Sequence, residues 1–152
     1  MSRAEKAKEV FMQGYACSQA VLLAFADLTG LEEGTLKRLA LPFGGGLGRL
    51  RLTCGAVSGM ALVIGLVLTG DEDTPENKKQ TYAIVQELCQ KFKDKNGSLI
   101  CAELLQGEKG QTTVGGVAEA RTETYYKKRP CGDLVYDCVE IVEEYLKEKG
   151  VL

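Results

Sequence analysis

The sequence predicts an all-α fold: a single-domain helical bundle of about six to seven helices around a buried central helix that starts at Cys54. Three observations support this fold class. Apolar residues recur at helical spacing along most of the chain. Capping residues, glycines and prolines separate these segments at the ends of the predicted helices. With 152 residues, of which 45% are apolar, the chain is long enough to bury one proper core as a single domain over residues 1–152.

The first three predicted helices lie in the N-terminal third of the chain. Residues 2–14 show apolar side chains at helical spacing, and Gly14 is a natural stop. A second helix is expected from Cys17 to Gly30. Residues 31–41 form a short third helix, since the proline that follows them disfavours helical geometry in the residue before it.

The central helix is predicted from Cys54 to about Thr69, with the hydroxyl of Thr53 as its N-cap. The positive end of a helix dipole favours thiolate over thiol, so we expect a lowered pKa for Cys54. The uninterrupted apolar run within this helix, residues 60–68, is far shorter than the ~20 residues that cross a bilayer. We therefore expect no membrane insertion.

The second half of the chain continues the helical pattern. Thr74 and Pro75 begin a long helix that should end at Gly97, because they supply a capping hydroxyl and a proline at the first helical position. Ser98 is then expected to cap a short helix that contains Cys101.

The remaining segments are a glycine- and threonine-rich stretch and two further helices. Residues 107–116 lack a helical period and are expected to form a mobile loop. A helix is predicted over residues 117–129, followed by a final amphipathic helix that opens at Cys131 and ends before Gly150.

Six cysteines and no histidine restrict the chemistry that this chain can perform. Without imidazole, Cys-His and Ser-His catalytic pairs are excluded. The N-terminus lacks the apolar core of a secretion signal, which leads us to expect a cytoplasmic protein. In that reducing compartment, cysteines more often serve metal binding or redox catalysis than structural cross-linking.

The cysteines divide by their positions in the predicted helices. Cys89 and Cys138 fall in mid-helix on apolar faces, where a cysteine usually acts as a small core residue. The other four lie at helix starts and are our candidates both for catalytic residues and for metal ligands: Cys17, Cys54, Cys101 and Cys131.

Three interpretations of these four cysteines remain open. In the first, Cys54 and one partner cycle between dithiol and disulfide. In the second, the four thiolates bind a cofactor of unknown identity, either an iron-sulfur cluster or another metal. In the third, the cysteines are inert and the chain is a helical interaction module. No CxxC pair occurs, so neither a zinc ribbon nor a thioredoxin motif is present.

A glycine-rich loop precedes the central helix and supplies the candidate cofactor-binding residues, Gly44, Gly45, Gly46 and Gly55. Backbone amides in such a loop can cradle a phosphate, but neither the dinucleotide fingerprint nor the P-loop motif is present. We therefore favour a loop that passes tightly over the cysteine site. Arg49 and Arg51 are either anion or thiolate partners or ordinary surface charges.

The motif order resembles a known family. An apolar helix opens with CSQAV at Cys17, a glycine loop precedes CGAVSG at residues 54–59, and two later cysteines stand alone. This order, over almost the whole chain, resembles the C_GCAxxG_C_C family of redox-active proteins. The resemblance implies that the family's four cysteines correspond to Cys17, Cys54, Cys101 and Cys131. Some members carry selenocysteine in place of a cysteine, which implies redox or nucleophilic use of that position.

The charge balance limits the partners that we expect. Lys and Arg number 19 against 21 Asp and Glu, which gives no reason to expect a nucleic-acid surface or a basic membrane patch. The expected partner is an unidentified redox protein, and a homodimer is compatible with the sequence.

Overall fold

The computed structural model describes residues 1–105, 114–128 and 130–152, and for residues 124, 127 and 128 it describes the backbone alone. Over these residues the chain consists of helices joined by turns, with no strand. The predicted all-α fold class is confirmed. Most of the loop predicted at 107–116 lies outside the described residues, and its described part, residues 114–116, is not helical.

The N-terminal half contains four α-helices: α1 (Arg3–Met12), α2 (Cys17–Leu23), α3 (Ala26–Thr29) and α4 (Glu33–Ala40). Ser2 caps α1 by accepting a hydrogen bond from the amide of Glu5, whose carboxylate accepts one from the amide of Ser2. The helix predicted from Cys17 to Gly30 is divided into α2 and α3. The chain turns at Phe25, whose amide donates to the carbonyl three residues back at Leu22.

The C-terminal half contains five: α5 (Gly55–Val67), α6 (Pro75–Asn96), α7 (Cys101–Leu104), α8 (Glu123–Lys128) and α9 (Cys131–Glu148). Thr74 caps α6 as predicted, and Gly97 ends it in the left-handed region. The helix predicted over residues 117–129 is wrong in its first part, because it begins only at Glu123. Ser98 does not cap α7, since its hydroxyl accepts from the amide of Ile100 and that residue takes the N-cap position.

The helix α5 is the central element of the bundle. It packs against α2, α3, α6 and α9, while α1 lies across α9 and α2. The helices α2 and α5 approach closely at Gly59, where an added Cβ would lie 2.8 Å from the carbonyl oxygen of Ser18. The largest fully buried side chains come from α1, α2, α4, α5, α6 and α9, with one in the turn after α2: Phe11, Phe25, Phe92, Leu22, Leu36, Met60, Ile64, Leu88, Leu146, Val21, Val63 and Val135.

Although α5 is the most apolar helix, its length is that of a globular core helix. In the parts of the chain that the structure describes, no helix is both long and apolar enough to cross a membrane.

Candidate functional site

The four cysteines at predicted helix starts line one cavity of about 60 Å³. Cys17, Cys101 and Cys131 are the first residues of α2, α7 and α9, and Cys54 is the N-cap of α5. They come from four segments that are far apart in the chain. The fold therefore brings all four side chains to one end of the bundle, and their role in catalysis or metal binding remains a prediction.

Cys17 and Cys131 form the contact between thiols at this cavity. Their side chains are hydrogen-bonded to each other, and both residues are half-buried. This hydrogen bond raises the pKa of Cys17 well above its ordinary value, and burial and the nearby sulfurs of Cys131 and Cys54 add to the effect. Arg121 acts weakly in the opposite direction. In this structure Cys17 is therefore a thiol with a neighbouring thiol as its partner.

Cys54 is more deeply buried than Cys17 and Cys131, and two predictions about it were wrong. It occupies the N-cap position that we predicted for Thr53. Its exposed fraction is 4%, and this burial raises its pKa to about 12. The amides of Val57 and Ala56, at the helix start, lower the pKa, and the sulfurs of Cys131 and Cys101 raise it. The prediction of a lowered pKa was wrong because loss of hydration outweighs the helix end.

Two backbone hydrogen bonds fix the distance between Cys54 and Cys101. The amide of Cys101 donates to the carbonyl of Leu52 at 2.6 Å, and the amide of Cys54 donates to the carbonyl of Leu99 at 2.8 Å. Between them, Thr53 and Ile100 form an isolated antiparallel bridge. Because Thr53 takes extended pairing geometry here, the N-cap of α5 moves one residue along the chain.

Arg51 is a charged residue in contact with Cys101. Its exposed fraction is 9%, and its Nη1 donates to the sulfur of Cys101 at 3.8 Å. Of the two roles considered for Arg51, a thiol partner or a solvated surface charge, the structure supports the first.

The glycine loop forms one wall of the cavity. Gly45, Gly46 and Gly55 line it, whereas Gly44 lines a neighbouring groove. Gly46 has a positive φ of 77°, and a Cβ there would lie 2.7 Å from the Cβ of Cys101. The loop thus passes tightly over the cysteines, as the favoured interpretation predicted. Cofactor binding by these glycines remains a prediction.

Arg121 and Tyr125 also line the cavity, and the sequence did not single them out as site residues. The guanidinium of Arg121 lies 4.9 Å from the ring centroid of Tyr125 and 4.8 Å from that of Phe11. These contacts fix the arginine at the cavity. No local motif marks this arginine, because the segment before α8 meets Phe11 of α1 only through tertiary packing.

Cys138 and Cys89 lie outside the cavity. Cys138 is fully buried in the middle of α9, and Cys89 is half-buried in the middle of α6. Burial raises the pKa of both thiols, and the sulfurs of Cys54 and Cys89 contribute further to the shift at Cys138. Both residues pack with the apolar core, as expected of small core residues.

The four thiols were also tested for their fit to a metal. Sites built from four thiolates suit zinc or an iron-sulfur cluster. Among the residues that the structure describes, however, no group of three or more Cys, Asp or Glu side chains is arranged to hold an ion. As placed here, the residues do not fit a metal centre.

Comparisons with known proteins identify a family for this chain. A family model described as "Putative redox-active protein (C_GCAxxG_C_C)" matches residues 15–145. No curated protein and no solved structure matches the chain. The matched region begins just before Cys17 and runs into α9, so it includes all four cysteines of the cavity and the glycine loop. The chain belongs to the C_GCAxxG_C_C family.

Proposed function

We propose that this protein is a thiol-disulfide redox protein in which Cys17 and Cys131 cycle between a dithiol and a disulfide. The observation that carries the proposal is the hydrogen bond between these two thiols at the wall of a cavity lined by four cysteines. The family's description as redox-active supports the same chemistry.

The degree of burial favours this pair over the other two cysteines of the cavity. Cys17 and Cys131 are half-buried, whereas Cys54 and Cys101 are 4% and 8% exposed. A thiol that exchanges with a partner must be reached by that partner's sulfur. We therefore assign the exchanging pair to Cys17 and Cys131, and regard the two buried cysteines as a second, slower pair.

Oxidation of the pair releases two electrons and two protons as the S–S bond forms between Cys17 and Cys131. An acceptor disulfide takes both electrons and becomes two thiols. Because the pKa of Cys17 is raised, little thiolate is present at neutral pH, and the chain has no histidine to accept the proton. The rate of exchange should therefore rise as the pH rises.

Disulfide mapping after mild oxidation tests this proposal. Reduced protein is oxidised with a small disulfide, the free thiols are alkylated, and the linked peptides are identified by mass spectrometry. We expect a Cys17–Cys131 link in the wild type, and its complete loss in Cys17→Ser and Cys131→Ser. Cys89→Ser is the matched control, because Cys89 lies outside the cavity, and it should retain the link. A wild-type protein that keeps six free thiols would contradict the proposal.

The metal-binding alternative has weaker support, because the described cysteines do not form a group arranged for one ion. Metal analysis and visible absorption of protein purified without oxygen separate the two functions. We expect a colourless, metal-free preparation. Stoichiometric iron that disappears in Cys17→Ser, but not in Cys89→Ser, would replace the disulfide proposal with a cluster.

A further inference from the structure

Cys54 is a buried nucleophile that the cycle of Cys17 and Cys131 leaves unused. Its exposed fraction is 4%, so the sulfur of another molecule has little access to it. The cavity that it lines measures about 60 Å³, whereas sites for small molecules usually measure about 300–1,000 Å³. The sulfurs with which Cys54 can react are therefore those of the other cysteines in this cavity.

Three helices bring Cys54 next to the exchanging pair. Cys17 and Cys131 are the first residues of α2 and α9, Cys54 is the N-cap of α5, and each of these helices packs against the other two. At the start of α5, a Cβ added to Gly55 would lie 3.5 Å from the Cβ of Cys17 and 3.5 Å from the amide nitrogen of Ser18. The start of α5 thus packs directly against the start of α2, where Cys17 lies.

Cys131 is a neighbour of both other sulfurs. It is hydrogen-bonded to Cys17, and its sulfur also acts electrostatically on Cys54. All three side chains line the same cavity. Once Cys17 and Cys131 have formed a disulfide, the Cys131 sulfur of that bond therefore lies beside a third thiol.

The start of α5 also supports the form of Cys54 that attacks a disulfide. The amides of Val57 and Ala56 are hydrogen-bonded to Cys54 and lower its pKa, against the larger effect of burial. Amides at a helix start stabilise negative charge. Because the thiolate is the nucleophile in exchange, these two amides favour the state of Cys54 that the reaction requires.

We propose that Cys54 is a third catalytic residue, which takes the disulfide over from Cys17 by attacking the sulfur of Cys131. This inference rests on the proposed function of the Cys17 and Cys131 pair, and it connects that pair to the buried cysteines. After the transfer, Cys17 is again a free thiol at its half-buried position. The protein remains oxidised, with its disulfide between Cys54 and Cys131.

The transfer is an internal exchange in which no electrons enter or leave the protein. The Cys54 thiol loses its proton to water, and its sulfur attacks the Cys131 sulfur of the disulfide. The bond between Cys17 and Cys131 breaks as the bond between Cys54 and Cys131 forms. Cys17 leaves as a thiolate and takes up a proton, which its raised pKa favours. One proton is released and one is bound, so the step needs no oxidant.

A time course of disulfide mapping tests the transfer. Reduced protein is oxidised with a limiting amount of bis(2-hydroxyethyl) disulfide, and the oxidant is removed as soon as the first link appears. Samples are quenched with acid over minutes to hours, the usual timescale of uncatalysed disulfide rearrangement, and their free thiols are alkylated at low pH. We expect the Cys54–Cys131 link to grow as the Cys17–Cys131 link declines. The total amount of disulfide should stay constant while Cys17 becomes open to alkylation.

Two variants identify the sulfur that receives the disulfide. In Cys54→Ser the transfer should be lost completely, and the Cys17–Cys131 link should persist. Cys101→Ser is the matched control, because Cys101 is the other buried cysteine of the cavity, and it should retain the transfer. The wild-type time course needs no substitution, so it decides the question even if a variant does not fold.

The outcomes separate this inference from the proposed function. If the wild type keeps only the Cys17–Cys131 link for hours, the transfer is wrong and the redox function stands. A Cys54–Cys131 link that appears as early as the Cys17–Cys131 link would mean direct oxidation of Cys54, which also overturns the transfer. A Cys101–Cys131 link in its place would make Cys101 the receiver and overturn it equally. If no Cys17–Cys131 link forms at any time, the redox function and the inference both fail.

Discussion

The end of the bundle that holds the cysteine cavity differs from the bundle interior around Cys138. Both regions contain a cysteine whose pKa is raised chiefly by burial: Cys54 at the cavity and Cys138 in the interior. A perturbed pKa therefore does not distinguish the site from the core in this protein. Cys138 lies among apolar side chains, whereas Cys54 shares a cavity with three cysteines and two arginines. The convergence of helix starts, rather than the pKa, identifies the site.

The backbone of the two regions differs as well. The interior consists of regular helices, while the loop at the cavity places Leu47, Arg49 and Arg51 in the left-handed region. Such conformations cost on the order of 1–3 kcal/mol each in non-glycine residues, and persist where the surrounding structure enforces them. Here the amides of Arg51 and Leu52 donate to the carbonyls of Gly45 and Gly46, which holds the loop closed. Strain is thus concentrated at the cysteine site.

The substitution Gly46→Ala should have the largest effect on stability. The new Cβ would lie 2.7 Å from both the Cβ of Cys101 and the amide nitrogen of Leu52, at a φ of 77°. Left-handed strain of about 1–2 kcal/mol and overpacking of about 1–3 kcal/mol predict a loss of roughly 2–5 kcal/mol in unfolding free energy. Urea unfolding of the reduced protein measures it.

Gly65→Ala is the matched control in the central helix. Gly65 is exposed on α5, and no atom outside its chain neighbours and its own helix backbone lies within 4 Å of the position that its Cβ would take. Helix propensity predicts a gain of up to about 1 kcal/mol. If Gly46→Ala is as mild as Gly65→Ala, the loop is not packed against Cys101 as the structure shows.

The stability of the protein should depend on pH, because a buried thiol has a different pKa in the folded and the unfolded state. The pKa of Cys54 is about 12 in the folded protein, against an ordinary value of 9.0. The folded state therefore holds a proton that the unfolded state releases between these values. The contribution of Cys54 to the free energy of unfolding is fully present below about pH 9. It falls by about 1.4 kcal/mol per pH unit as the pH rises towards 12.

Urea midpoints of the reduced protein at about pH 8 and about pH 10 test this prediction. Cys54→Ala should remove close to 1.4 kcal/mol of the loss over this interval. Cys17 and Cys138 shift in the same direction, so part of the loss will remain. If stability falls with pH in Cys54→Ala as steeply as in the wild type, the pKa of Cys54 is not raised in solution. The thiol would then be hydrated rather than buried.

The smallest expected effect is a gain from relaxing the loop. Leu47 is 41% exposed and has a φ of 68°, so Leu47→Gly removes left-handed strain and little buried surface. We predict a stability gain of about 0.5–1 kcal/mol after the entropic cost of glycine. Leu50 is similarly exposed but has no positive φ, so Leu50→Gly should destabilise the protein. Thermal unfolding measures the stability of both variants. Equal losses of stability would show that the backbone at Leu47 is not strained.

Much of the fold was predictable because its signals are local. Helical periodicity and caps indicated α1, α6 and α9 with boundaries close to those observed. The division between α2 and α3 was not predicted, because Phe25 fits the helical period and the turn there depends on packing. The start of α8 was misplaced for a similar reason, since residues 117–122 have no strong helix-stopping signal.

The sequence alone predicted the all-α fold and grouped the four cysteines that line the cavity, because a cysteine at a helix start is a pattern within a few residues. The tertiary structure decided which thiols meet and what their protonation is. Cys17 contacts Cys131 because α2 and α9 pack together, and Cys54 is a thiol because its surroundings remove water. Hydration and contacts between distant segments depend on the whole fold, so no local pattern in the chain encodes them.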